Sequence, residues 1–138
     1  MNYKEAHAKY QQTQRATLPE VEAVILLLRQ VERGIEQLER ALATDDTRLR
    51  DDTLRDIQTL MFELMGRTNR KIEKGERLFL TYMYINQSFI TMRISEAYEL
   101  LPETKAHVES LRDYKEYALG RNRKRTVRTY RVSYKRSI

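Results

Sequence analysis

The residue types that could carry out chemistry are few and far apart in this chain. Among its 138 residues are two histidines, His7 and His107, and no cysteine. His107 follows Glu103 by four positions, so both fall on one side of a helix, where a solvated ion pair is the favoured interpretation. A di-iron centre in a helical bundle needs paired Glu-x-x-His motifs, and the sequence has none. We therefore expect no enzymatic activity, no cofactor and no metal site.

The sequence also argues against nucleotide, calcium and membrane-spanning functions. It contains no glycine-rich phosphate loop, no nucleophile elbow and no Asp-rich calcium loop. The longest apolar run covers residues 24–28, far short of the roughly 20 residues that a membrane-spanning helix needs. The first nine residues are polar and lack the apolar centre of a signal peptide. We expect a cytosolic protein with no membrane span.

The positive charge lies at one end of the chain. The formal net charge is +6, but residues 121–138 contain eight Lys and Arg and no acid, so residues 1–120 carry a net charge of −2. We expect this tail to be disordered alone or extended on a partner. Its basic residues are Arg121, Arg123, Lys124, Arg125, Arg128, Arg131, Lys135 and Arg136.

The spacing of apolar residues predicts four helices. The first covers residues 18–43, with Thr17 as its N-cap, and the second starts after a turn at residues 45–47. A break at Gly75 ends the second helix, and the third fades near residues 94–95.

The fourth helix is predicted to begin at Tyr98 or at Pro102 and to stop at Gly120. Because short loops leave no room to cross a bundle, the fold class is all-α, an antiparallel four-helix bundle. We divide the chain into a mobile N-terminal arm (1–16), the bundle (17–120) and the basic tail (121–138).

Three helices contain more apolar residues than one core-facing stripe requires. The excess lies in residues 24–28, 60–65 and 78–85. A thick bundle centre or a homodimer face would explain it. A groove for an amphipathic segment of a partner would explain it equally well, since Met and Tyr adapt to a guest chain.

Several short motifs occur in an order typical of one protein family. Residues 10–12 (YQQ) precede the helix entry ATLPE at 16–20, and Gly75 precedes LTYMYIN at 80–86. Residues 111–116 (LRDYKE) come near the end of the fourth helix. Together, residues 8–118 resemble the FliS family of flagellar export chaperones.

The resemblance implies a cytoplasmic chaperone that binds the disordered C-terminal segment of flagellin, prevents premature polymerisation and aids delivery to the export gate. It also implies that an N-terminal arm with Tyr10 covers part of the binding groove. The candidate partner-binding residues are Tyr10, Leu27, Leu60, Met61, Leu64, Tyr82, Met83, Tyr84, Ile85 and Phe89.

Two other functions remain open at the level of sequence. The first is a nucleic-acid-binding bundle, whose tail neutralises phosphates while Tyr130 and Tyr134 stack on bases. The second is a self-assembling structural bundle, although a monomer or weak homodimer is expected. The effect of salt concentration distinguishes these two functions, because contacts with phosphates weaken as salt rises and contacts between apolar side chains do not.

Overall fold

The computed structural model describes the backbone of residues 18–137 and the side chains of residues 18–120. It confirms the all-α antiparallel four-helix bundle. The helices are α1 (Leu18–Ala43), α2 (Thr47–Gly66), α3 (Glu73–Ser95) and α4 (Leu101–Ser137), and a 3₁₀ turn at Tyr98–Leu100 precedes α4. The predicted range of the first helix is therefore confirmed.

Each helix packs against two neighbours, and among the described residues the backbones of the diagonal pairs do not approach each other closely. The helices thus follow one another around the bundle, with α4 returning to lie beside α1. A single core fills the centre, and every helix contributes at least two fully or almost fully buried side chains to it. Its principal members are Leu28, Val31, Ile35 and Leu38 of α1, Leu54, Ile57, Met61 and Leu64 of α2, Tyr82, Ile85, Phe89 and Met92 of α3, and Leu101 and Val108 of α4.

The connection between α1 and α2 is the turn that the sequence predicts. Asp45 adopts a left-handed conformation with φ of 55°, which Asp tolerates better than most residues. Asp46 is the N-cap of α2, and its carboxylate accepts a 3.0 Å hydrogen bond from the Leu49 amide. This bond satisfies one of the free donors of the first helical turn. Thr17, the predicted N-cap of α1, lies outside the described residues.

The predicted helix break at Gly75 is wrong. α2 already ends at Gly66, and Gly75 lies in the first turn of α3 without a positive φ. A Cβ atom at this position would overlap the backbone carbonyl of Asn69 in the connecting segment. Glycine therefore allows the α2–α3 connection to pass close over the start of α3.

The predicted stop at Gly120 is also wrong, because α4 continues to Ser137. The expectation of a disordered or extended tail is corrected in the same way, since this segment is helical. Arg and Lys are good helix formers, and one interior glycine costs only about 1 kcal/mol. At the other end of α4, the proposed start at Tyr98 is the first residue of a 3₁₀ turn. The proposed start at Pro102 lies one residue after the first residue of α4, Leu101.

We predict that Gly75→Ala lowers the free energy of unfolding by about 1 to 3 kcal/mol, because backbone must move to admit the methyl group. The matched control is Gly66→Ala, where an added Cβ meets nothing within 4 Å. Both substitutions restrict the unfolded chain equally, so this control should be neutral or stabilising by up to about 1 kcal/mol. Denaturant unfolding of both variants makes the comparison. Equal stability of the two variants would show that the Asn69 contact is unimportant.

Candidate partner-binding surface

The seam between α1 and α4 is closed by charge-assisted hydrogen bonds. Arg112 donates to both carboxylate oxygens of Glu32, over 2.6 Å from Nε and 3.2 Å from Nη2. Further along the seam, Lys105 Nζ donates to Glu39 over 3.2 Å. The Arg112 and Glu32 side chains are only 20% and 17% exposed, so solvent weakens their pairing less than it would at an open surface. These bonds hold α4 against α1.

Glu116 extends this network by pairing with two arginines. It accepts hydrogen bonds from Arg112 on its own helix and from Arg29 on α1. The hydrogen bond from Arg112, followed by that from Arg29, lowers the pKa of Glu116, and the bonds to Glu32 and Glu116 raise the pKa of Arg112. Both shifts favour the charged forms of Glu116 and Arg112.

The seam between α3 and α4 is built differently. Within the described side chains, no ion pair or side-chain hydrogen bond joins α3 to α4, and these neighbours approach each other least closely. Across this seam the Tyr84 and His107 rings are 5.7 Å apart between centroids and inclined at 56°. His107 thus lies against a tyrosine ring across the seam. This seam can open without breaking a charge pair among these side chains.

Large apolar side chains are exposed on both α3 and α4. On α3, Tyr84 is 59% exposed, Leu80 50% and Met83 46%, and on α4 Tyr114 is 60% exposed. Tyr114 lies seven residues after His107, so the two occupy nearly the same side of α4. We call these five residues, Leu80, Met83, Tyr84, His107 and Tyr114, the α3–α4 surface. Contiguous exposed apolar patches mark interaction sites in many proteins, and these five residues are the candidates for such a patch here.

The structure separates the candidate binding residues into three groups. Met83 and Tyr84 are exposed on α3, and Leu60 is half-buried in an open groove between α1 and α2 of about 370 Å³. Tyr10 lies outside the described residues. The other candidates are buried in the core, where a partner cannot reach them without movement of a helix. They are Leu27, Met61, Leu64, Tyr82, Ile85 and Phe89; their part in binding stays a prediction.

Sequence reasoning missed two large exposed residues within the apolar runs. Phe62 is 60% exposed, and Leu26 is 59% exposed in an open groove of about 350 Å³ between α1 and α4. Their position in the 3.6-residue repeat of each helix could have identified them as exposed. Leu26 falls between the stripe positions Val24 and Leu28, and Phe62 falls beside the buried Met61.

Two buried polar atoms of α3 have no hydrogen-bond partner in the described part of the chain. They are the Tyr82 hydroxyl and the Asn86 side-chain oxygen, one helical turn apart. Tyr82 is completely buried, and this burial raises the pKa of its hydroxyl well above the ordinary value. A buried polar group without a partner costs about 1 to 3 kcal/mol. The centre of α3 is therefore less stable than its apolar packing alone would allow.

A hydrophobic groove between helices is one of the recurring ways in which a protein binds an amphipathic segment of another polypeptide. The chain belongs to the FliS family: the family model described as flagellar protein FliS matches residues 2–118. This is a family of flagellar export chaperones and is not known for enzymes. A search of curated proteins found no match. Among the described residues, no helix combines the length and apolar character needed to cross a membrane.

We predict that Tyr82→Phe leaves the free energy of unfolding at pH 7 unchanged or raises it by up to about 1 kcal/mol, because the ring stays packed and an unpaired hydroxyl is removed. The pH dependence gives a second test. As pH rises past about 10, the unfolded state loses the tyrosine proton first, so the native protein loses stability. This loss should be smaller in Tyr82→Phe. Denaturant unfolding at pH 7 and at about pH 10.5 measures both effects. A marked destabilisation at pH 7 would reveal a partner for the hydroxyl.

Proposed function

We propose that this protein is an export chaperone that binds the disordered C-terminal segment of flagellin in the cytoplasm, prevents premature polymerisation and aids delivery to the export gate. The observation that carries the proposal is the α3–α4 surface, which offers exposed Tyr, Leu and Met side chains beside a seam without charge pairs. Membership of the FliS family supports a chaperone of flagellar export in general. The segment of flagellin and its position on the bundle belong to the proposal.

The contrast between the two seams of α4 supports this position for the guest. Separating α4 from α1 would break the partly buried pair of Arg112 and Glu32, which is costly when the two charges are left without partners. Moving α4 away from α3 at the surface breaks the contact of Tyr84 with His107 but no charge pair among the described side chains. A guest helix can therefore bind between α3 and α4 while α4 stays attached to α1.

Charge at one end of the α3–α4 seam provides a preference for particular guests. Burial, followed by repulsion from Lys74, lowers the pKa of Lys115. A carboxylate of a guest would relieve this repulsion. We infer that the guest places an acidic residue near this end and apolar residues along Leu80 and Tyr84.

The buried candidates have an indirect role in this proposal. Tyr82, Ile85 and Phe89 hold α3 in the core, and the same helix presents Met83 and Tyr84 to the guest. Their substitution would reduce binding mainly by destabilising the bundle. Direct contacts are thus assigned to exposed residues.

We predict that Tyr84→Ala weakens binding of the host's flagellin C-terminal peptide by about 10- to 30-fold, since an aromatic side chain at an interface centre contributes on the order of 2 kcal/mol. The matched control is Phe62→Ala on α2, which removes an equally exposed aromatic ring away from the α3–α4 surface. This control should change the affinity less than about 3-fold. Isothermal titration calorimetry provides the affinities, and the heat capacity change of binding should be negative. Absence of binding by the intact protein at tens of micromolar would refute the flagellin assignment, whereas equal losses in both variants would refute only the surface.

We also propose that residues 1–16, including Tyr10, compete with the guest for this surface. Deleting them should speed association of the flagellin peptide and increase self-association, because a site that is open only part of the time binds with its affinity reduced by the open fraction. Stopped-flow fluorescence and light scattering measure the two effects. Tyr10→Ala in the full chain is the matched variant and should reproduce part of the acceleration. Unchanged association rates in both would exclude competition by the arm.

A further inference from the structure

The C-terminal part of α4 extends beyond the portion of the chain that its family explains. The family match ends at residue 118, whereas α4 continues to Ser137. Residues 121–137 add about 25 Å of helix at 1.5 Å per residue. Leu119 and Gly120 lie beside Glu22 of α1, and α1 begins four residues earlier, at Leu18. Most of this extension therefore runs past the start of α1.

The helical form organises the basic residues of this extension into one row. With 3.6 residues per turn, seven of the eight basic positions of residues 121–138 fall within an arc of roughly 140°. Arg123 is the exception and falls on the opposite side of the helix. The seven positions follow the spacing of three and four residues that defines one helix face, and we call them the basic face: Arg121, Lys124, Arg125, Arg128, Arg131, Lys135 and Arg136.

Like charges at this spacing repel one another, and each i, i+4 pair of this kind destabilises a helix by about 0.2 to 0.5 kcal/mol. An anionic partner with regularly spaced charges would remove this penalty. Two classes of partner have such a surface: nucleic acids and anionic membranes.

The composition of the helix favours nucleic acid. Membrane-bound amphipathic helices carry Trp, Phe or Leu opposite their basic face. The side opposite the basic face carries Thr126, Val127, Tyr130 and Tyr134 instead. Five of the seven residues on the basic face are arginines, whose planar guanidinium matches phosphate with two parallel hydrogen bonds.

We propose that residues 121–137 form an arginine-rich helix that binds the phosphate backbone of a nucleic-acid duplex through its basic face, without reading the sequence. An α-helix with side chains is about 10–12 Å wide and fits the major groove of B-form DNA, which is about 12 Å wide. Since residues 1–120 carry a net charge of −2, the bundle adds no general attraction to phosphates. Binding depends on the extension.

The test uses the full chain and a fluorescently labelled 20-base-pair DNA duplex of arbitrary sequence, with duplex RNA in a parallel arm. Anisotropy between about 50 and 200 mM salt should show a linear fall of log K with log salt, with a slope near −0.9 for each phosphate neutralised. Arg128→Gln, on the basic face, should weaken binding by about 3- to 10-fold and make the slope shallower by about 0.9. Arg123→Gln removes the same charge from the opposite side and should change neither quantity appreciably.

Three results would overturn the proposal. Equal losses in Arg123→Gln and Arg128→Gln would mean that total charge, and not a helix face, determines binding. Binding to vesicles that contain phosphatidylserine, without binding to either duplex, would assign the extension to an anionic membrane. Failure of both duplexes to bind at about 50 mM salt would exclude nucleic acid.

A truncation after Gly120 separates this proposal from the chaperone function. It should abolish duplex binding, change the melting temperature by less than about 5 °C, and leave the affinity for the flagellin peptide intact. Duplex binding by the truncated protein would contradict the assignment to the extension. Failure of the full chain to bind the flagellin peptide would contradict the chaperone proposal and leave the duplex-binding proposal unaffected.

Discussion

The bundle depends on the apolar stripe of α1. Leu28, Val31, Ile35 and Leu38 are completely buried, and α1 packs against both α2 and α4. Burying side chains of this size contributes about 1.5 to 3 kcal/mol each. Gly34 lies on the same helix, and a Cβ there would come within 2.7 Å of Ile57, so glycine lets α2 approach closely. α1 packs closely against both of its neighbours, whereas α3 packs less closely against α4.

The charge network on α4 attaches this helix to α1. Bonds from Arg112 to Glu32 and from Arg29 to Glu116 fix α4 to α1. α3 has no such bond to α4 within the described side chains, and its centre carries the unpaired Tyr82 hydroxyl and Asn86 oxygen. Stability is thus concentrated on one side of the bundle, and binding surfaces generally lie where local stability is lower.

Much of the fold was readable from the sequence because helix boundaries and buried stripes are local properties. The α1 stripe and the Asp46 cap needed no tertiary information. Gly75 was misread because its role depends on the Asn69 carbonyl, whose approach no local pattern encodes. The candidate site was harder, since core and surface residues share the same apolar types. The sequence analysis names Tyr82 and Tyr84 together as candidates, whereas the structure leaves Tyr84 exposed and buries Tyr82 in the core, away from direct contact.

The long α4 helix joins two surfaces that differ in their physical basis. Its part beside α3 offers apolar and aromatic groups, and its extension offers a row of like charges. Gly120 stands between them and weakens the helix by about 1 kcal/mol at that point. Fraying of the extension therefore need not travel into the bundle, where Leu119 and Glu116 are held by α1. Because coupling between two sites requires that each ligand change the stability of a shared element, the two surfaces should act almost independently.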